Sequence, residues 1–319
     1  MILKVRNSKT LQSAAIVDGQ FTDELRPAKY PKMIGLPPIS EAPLSFRLLS
    51  KLTRNIPPIP HASGLSNRFV KPFFSSLHRN ERYRVKVWED IEMIVDPADC
   101  IGGNLAFIPQ LFDVWERTEI NNFLPQGGVF IDIGANIGAY SLWAARRVGA
   151  NGRVLAYEAE PMNFSVLMDN IVINGFERII QAQQIGVADT TESLTLRLND
   201  GSNSGGHSFA PEVHGGQGTP ISVACEPLAT LIQRADIHRV DFMKLDIEGF
   251  EQKVLSRFFA DVRIDSPLRP RALLTEMFFA SKREPDRLLW STILEAGYNL
   301  YRHSEYNYLF LRRDRERTP

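Results

Sequence analysis

Asp132, Gly134, Asn136 and Gly138 alternate with small or apolar residues in the stretch VFIDIGANIGAYS at 129–141. Glycines so placed let a backbone adopt φ > 0 and come close to a ligand, and N–H groups left over at a turn and a helix start attract an anionic group. A further acid, Glu158, ends the apolar run RVLAYE, where a carboxylate is able to accept hydrogen bonds from both hydroxyls of a ribose. Another, Asp246, ends the run VDFMKLD. Acids at the carboxyl ends of parallel strands face a common ligand crevice. The spacing bears on which ligand. A dinucleotide fingerprint reads GxGxxG, whereas Asn136 here holds the place of the second glycine. A pyrophosphate needs the close approach which that glycine permits, so the pattern disfavours nicotinamide or flavin dinucleotides and suits a cofactor without phosphate.

These residues need strands and helices in a set order to meet. Residues 129–132 are apolar enough for a buried strand, and from Ala139 the pattern turns helical, with Leu142, Ala145 and Val148 on one face and Gly149 as the stop. A second strand spans 153–158. Pro161 then opens a helix carrying Phe164, Leu167, Met168, Ile171 and Val172 at helical spacing, and 179–187 reads as a third strand. Short alternating strands and helices predict a doubly wound parallel sheet. Further strands are expected at 193–198, 219–223, 240–246 and 271–278, with helices at 226–235, 250–259 and 286–295, and an antiparallel pair at 298–302 and 307–312. Upstream, a β-hairpin is expected over 84–96 and a helix over 111–123. The 20-residue insert at 199–218 holds six glycines and is placed to act as a mobile lid.

The 319-residue chain is 44% apolar and 23% charged with zero formal net charge, an ordinary globular composition that argues against general nucleic-acid binding. Two cysteines, Cys100 and Cys225, form neither a disulfide framework nor a zinc pattern. The N-terminus lacks the apolar run of a signal peptide and no segment reads as membrane-spanning, so a cytoplasmic protein is expected. Residues 1–82 form an expected extension, irregular and partly helical, with a helical patch at 45–53 and eight prolines between Pro27 and Pro60. Nine Lys or Arg and one acid, Glu81, lie between Leu44 and Lys86; the strip is read as a solvated or domain-clasping arm before a surface for anions. The main domain is expected over 83–319.

DIGANIG at 132–138, YEAEP at 157–161, LxxNIxxNG at 167–175 and KLDIEGFE at 244–251 together resemble the FkbM-type family of S-adenosylmethionine-dependent methyltransferases, over about residues 84–312. The resemblance implies an α/β, Rossmann-like class I methyltransferase fold with strand order 3-2-1-4-5-7-6 and strand 7 antiparallel. It implies S-adenosylmethionine as cofactor and a hydroxyl on a sugar, glycan or secondary metabolite as acceptor. Carried onto this chain, Asp132, Gly134, Ala135, Asn136 and Gly138 line the methionine end, Ser141 reaches its carboxylate, Glu158 holds the ribose, and Val187 to Asp189 lie near adenine.

A hydroxyl nucleophile needs a base or a metal. Asp246 and His207 are the candidate bases; His207, like His214, sits in a glycine-rich loop where a histidine is more often solvated. Asp246, Glu248 and Glu276 are a weaker alternative as oxygen ligands for a divalent ion. Competing readings are methyl transfer to nitrogen on RNA, peptide or protein, a non-catalytic binding module, and a nicotinamide oxidoreductase. The amino-group motif [DN]PP[YF] is absent, with LDIE in its place.

Overall fold

The computed structural model describes residues 39–55, 81–199, 205–210, 218–277, 284–304 and 306–313, all within the compact unit Leu36–Pro319. Its centre is a seven-stranded sheet. In chain order the strands of that sheet and its neighbours are β1 (Ile39–Ser40), β2 (Arg82–Trp88), β3 (Ile91–Val95), β4 (Val129–Ile133), β5 (Arg153–Glu158), β6 (Ile180–Gln184), β7 (Gly186–Ala188), β8 (Glu192–Leu198), β9 (Thr219–Pro227), β10 (Phe242–Leu245), β11 (Ala272–Glu276), β12 (Tyr298–His303) and β13 (Asn307–Arg312). The central order is β6-β5-β4-β10-β11-β13-β12, and only β13 lies antiparallel to its neighbours. This is the expected 3-2-1-4-5-7-6 arrangement of a class I methyltransferase fold.

The helices are α1 (Leu44–Thr53), α2 (Cys100–Phe107), α3 (Val114–Phe123), α4 (Ala139–Val148), α5 (Pro161–Ile173), α6 (Leu228–Arg234), α7 (Glu251–Asp261) and α8 (Glu284–Glu295). Strands β4, β5, β10 and β11 are apolar on both faces because helices cover both. Phe130, Phe242 and Leu274 bury one face in a core shared with α4, α5 and the β2–β3 hairpin, while Ile131, Met243 and Leu273 bury the other against α6 and α7.

Four local expectations change. The strand expected over 179–187 breaks after Gln184: β6 stays in the central sheet and β7 joins a separate three-stranded sheet of order β7-β9-β8. The helix expected over 111–123 begins only at Val114, because Asp113 takes a left-handed conformation, φ 41°, after a short 3₁₀ turn at Pro109–Leu111. The helix expected over 226–235 starts at Leu228, since β9 runs through to Pro227. Helix α2 was not foreseen; its start is capped by Asp99, which accepts from Ile101 and Gly102 N–H at 2.9 and 3.0 Å.

Residues 39–55 are stitched to β2 and α2. Phe46 packs its ring 4.9 Å from Tyr83 and 5.0 Å from Phe107. Ser50 Oγ donates to the Ala106 carbonyl at 2.7 Å and Thr53 Oγ1 to that of Phe107 at 2.5 Å. Among the described residues, no helix is long and apolar enough to cross a membrane.

Candidate active site

The turn between β4 and α4 is shaped by three left-handed residues, Gly134 (φ 78°), Asn136 (φ 51°) and Gly138 (φ 95°). A Cβ on Gly134 would stand 1.9 Å from the Asp246 carbonyl oxygen, so only glycine lets the turn press against the end of β10. Asparagine tolerates the left-handed region. Its Oδ1 accepts from the Ile137 N–H at 2.7 Å, and its own N–H donates to Glu158 Oε2 at 2.7 Å. That bond explains the missing second glycine: the backbone here closes on a carboxylate from β5, not on a phosphate.

The turn's own N–H groups prove to be engaged, contrary to the expectation that they are open to an anion. Gly134 and Ala135 both donate to the Tyr157 carbonyl at 3.0 Å, and Gly138 donates to Ala135 at 2.9 Å. Among the described residues, the N–H groups of Ala139 and Tyr140, the first of α4, are left without an acceptor. Orphan donors at a helix start bear partial positive charge.

A cavity of about 280 Å³ opens over this turn. Gly134, Ala135, Asn136, Glu158, Val187, His207 and Asp246 line it, so seven of the expected site residues meet there. Asp132, Gly138 and Ser141 do not line it. Asp132 is fully buried and accepts from Ser141 Oγ at 2.6 Å, an arrangement that fixes the start of α4 to the end of β4 from beneath. Asp189 lies outside the cavity, where its carbonyl accepts from Arg257 at 3.3 Å. His214 falls outside the described residues.

Each end of the cavity has its own chemistry. Glu158 accepts from Glu160 N–H at 2.8 Å as well as from Asn136, and burial lifts its carboxyl to about 7. Apolar side chains of Ile185, Val187, Leu196 and Phe209 line the next section. At the opposite end Lys244, buried on β10, donates to Asp246 Oδ2 at 2.9 Å and lies 4.7 Å from the centre of the Tyr140 ring. Burial works against the charge on Asp246, but the Lys244 ammonium and hydrogen bonds from Lys244 and Glu276 hold its carboxyl below its ordinary value. Glu276 goes the other way: burial, then the nearby charges of Asp246 and Glu248, push it to about 10. Glu248 is raised to about 8, by burial and then by Asp246 and Glu251. The oxygens of Asp246, Glu248 and Glu276 lie within 4.8 Å of one another, the one such group among the described residues.

The phrase LDIEGFE builds the loop after β10. Glu248 and Gly249 take left-handed φ of 53° and 97°, and Glu251 closes the loop by accepting from Ile247 and Gly249 N–H at 2.8 and 2.9 Å. Ser208 Oγ donates to the Glu248 carbonyl at 2.6 Å and so fixes residues 205–210 beside the cavity. His207 Nδ1 accepts from Asn199 N–H at 2.9 Å. Sequence reasoning missed Tyr140 and Asp113 on the cavity wall, and it reads Lys244 only as part of an ion-paired rim, whereas Lys244 is buried and lines the cavity. A cationic residue two before the strand-end acid was the available signal for Lys244.

The lining is compatible with S-adenosylmethionine: a buried acid at one end, an apolar section beside it and, among the described residues, two N–H groups without an acceptor at the start of α4. Comparison with known proteins agrees. The sequence model of the methyltransferase FkbM domain matches residues 132–300. The chain is 25% identical over 159 residues to methyltransferase sdnD of Sordaria araneosa, across 41% of this chain and 61% of that protein. It therefore spans about three fifths of that relative's length. It is 26% identical over 183 residues to ribosomal RNA large subunit methyltransferase E of Oleidesulfovibrio alaskensis, across 52% of this chain and 81% of that one. Among solved structures, methyltransferase FkbM from Methylobacillus flagellatus aligns at 17% identity with a TM-score of 0.39, over 65% of this chain and 53% of that one. With over half its length matched by that domain, the chain belongs to the FkbM family of methyltransferases, whose cofactor is S-adenosylmethionine.

Proposed function

We propose that this enzyme transfers a methyl group to a hydroxyl of a sugar, glycan or secondary metabolite, with Asp246 as the base. The bound cofactor supplies the methyl carbon and its sulfur leaving group. What the chain adds is alignment and proton removal. Glu158 holds the ribose, Val187 borders the adenine, and Gly134 to Asn136 shape the wall beside the methionine end. The observation that carries the reading is the Lys244–Asp246 pair at 2.9 Å on the cavity wall. It keeps a carboxylate ionised at a strand end, where an incoming hydroxyl's proton is accepted.

Asp246→Asn tests this. The turnover number is expected to fall about 10²–10⁴-fold with cofactor affinity retained. Because the Asp246 carboxyl lies below its ordinary value, the base stays ionised as pH falls from 8 to 5, and turnover at saturating cofactor is expected to stay level. Retained turnover in Asp246→Asn together with loss in His207→Asn would instead assign the base to His207. Mass spectrometry of products from extract glycans and small hydroxylated metabolites, with isotopically labelled cofactor, identifies the acceptor.

A hydroxyl on RNA is the second reading. It is supported by the ribosomal RNA methyltransferases among the relatives. Arg47, Lys51, Arg54, Arg84 and Lys86, against the acids Glu41 and Glu92, line a groove beside α1 and give it a second support. Methylation of RNA fragments in preference to glycans would establish it.

A further inference from the structure

S-adenosylmethionine ends in an amino acid, and its ammonium needs an acceptor as much as its carboxylate needs donors. Among the described residues, three carboxylates line the cavity: Glu158, Asp246 and Asp113. Glu158 already accepts two backbone N–H groups at the ribose section. Asp246 is already ion-paired with Lys244. Asp113 has no ion-pair partner within salt-bridge distance; among the described residues, the Tyr140 hydroxyl, at 2.8 Å, is the one donor its carboxylate binds.

Its position is fixed from several sides. Asp113 stands in the left-handed region just before α3. Helix α3 is held to the β12–β13 hairpin by Arg302 to Glu119 at 2.7 Å and Asn307 to Glu116 at 2.9 Å. The Arg117 guanidinium lies 4.8 Å from the ring centres of both Trp88 and Trp143, and its Nε donates to the Phe112 carbonyl at 2.8 Å. A left-handed non-glycine residue held this firmly is the kind of local strain that clusters at ligand sites. Tyr140, which binds Asp113 through its side chain, is also one of the two α4 residues whose backbone N–H is orphaned at the cavity. One residue thus joins a place for a carboxylate to a place for the ammonium beside it.

We propose that the Asp113 carboxylate binds the α-ammonium of the cofactor's methionine end, from a segment upstream of the matched family domain. The proposal rests on the cavity being the cofactor site. Asp132, the acid of the turn itself, is sealed beneath the wall by Ser141 and is not available for this role. The groups facing Asp113 are Tyr140, Lys244, Arg117, Glu116 and Asp246, and burial raises its carboxyl against the pull of the two cations. An arriving ammonium gives Asp113 an ion-pair partner at direct contact.

The test uses S-adenosylhomocysteine and its counterpart lacking the amino group, titrated calorimetrically into the full-length protein. Wild type is expected to bind the amino form at least about tenfold more tightly, as charge-assisted hydrogen bonds warrant. Asp113→Asn, which still accepts from Tyr140, is expected to erase that preference by weakening only the amino form. Equal affinity of the two ligands for wild type overturns the proposal without any variant. So does an Asp113→Asn protein that weakens both ligands alike or neither. Failure of wild type to bind either ligand strikes the cavity reading itself, a different result.

Discussion

Glu158 is the residue to which the proposal assigns the ribose. It presents a buried carboxylate whose two oxygens each accept one backbone N–H, which leaves lone pairs for further donors. Glu158→Gln keeps the shape but loses the charge, and one amide nitrogen cannot accept at all. Affinity for S-adenosylhomocysteine is expected to fall about 10–100-fold, measured by calorimetry; an unchanged value would move the ribose elsewhere. Much at this scale was legible. Gly134, Asn136 and Glu158, which the cavity brings together, stood out because turn geometry and strand ends restrict residue type locally. Asp113 was not legible, because its place depends on α3 being tied to a hairpin nearly two hundred residues later, a contact no local pattern announces.

At the scale of elements, the two asparagines of the LxxNIxxNG pattern act as fasteners between α5 and the β2–β3 hairpin. Asn170 Oδ1 accepts from Ile94 N–H at 2.6 Å while its Nδ2 donates to Ile137 at 2.8 Å, and Asn174 binds both backbone groups of Glu92 at 3.0 and 2.7 Å. Asn170→Ala leaves a buried N–H and a buried carbonyl unpaired, a loss of about 2–5 kcal/mol in urea unfolding. Hydrophobic periodicity had already located α4, α5 and the central strands. It missed the division of 179–187 between two sheets, although Gln183, Gln184 and Gly186 interrupt the apolar run where it breaks. The acids after β10 and β11 give the elements a pH signature. Glu276 and Glu248 rise from an ordinary 4.5 to about 10 and about 8 in the folded chain. Between these values the folded state holds protons that the unfolded state has released. Their stabilisation is therefore full below pH 4.5 and declines as pH rises, up to about 8 for Glu248 and about 10 for Glu276. Glu276→Gln, a permanent mimic of the protonated acid, is expected to raise the urea midpoint at pH 8 and flatten its dependence on pH.

On the scale of the whole molecule, the sheet order brings the ends of β5, β4 and β10 side by side, and the cavity runs across them from Glu158 to Asp246. The segments before β4 complete it from one side with Ile101, Phe112 and Asp113, and residues 205–210 complete it from the other. Fold class was legible as a whole because alternating strands and helices leave few arrangements; the flanking walls were not, because they are built from long-range contacts. All of this converges on a pocket for one cofactor. Thermal unfolding with S-adenosylhomocysteine or NADH tests that most directly. At 100 times its dissociation constant a ligand of the folded state adds about 2.7 kcal/mol of stability. S-adenosylhomocysteine is expected to raise the midpoint accordingly and NADH to leave it unchanged; a rise with NADH, or none with S-adenosylhomocysteine, would contradict the account.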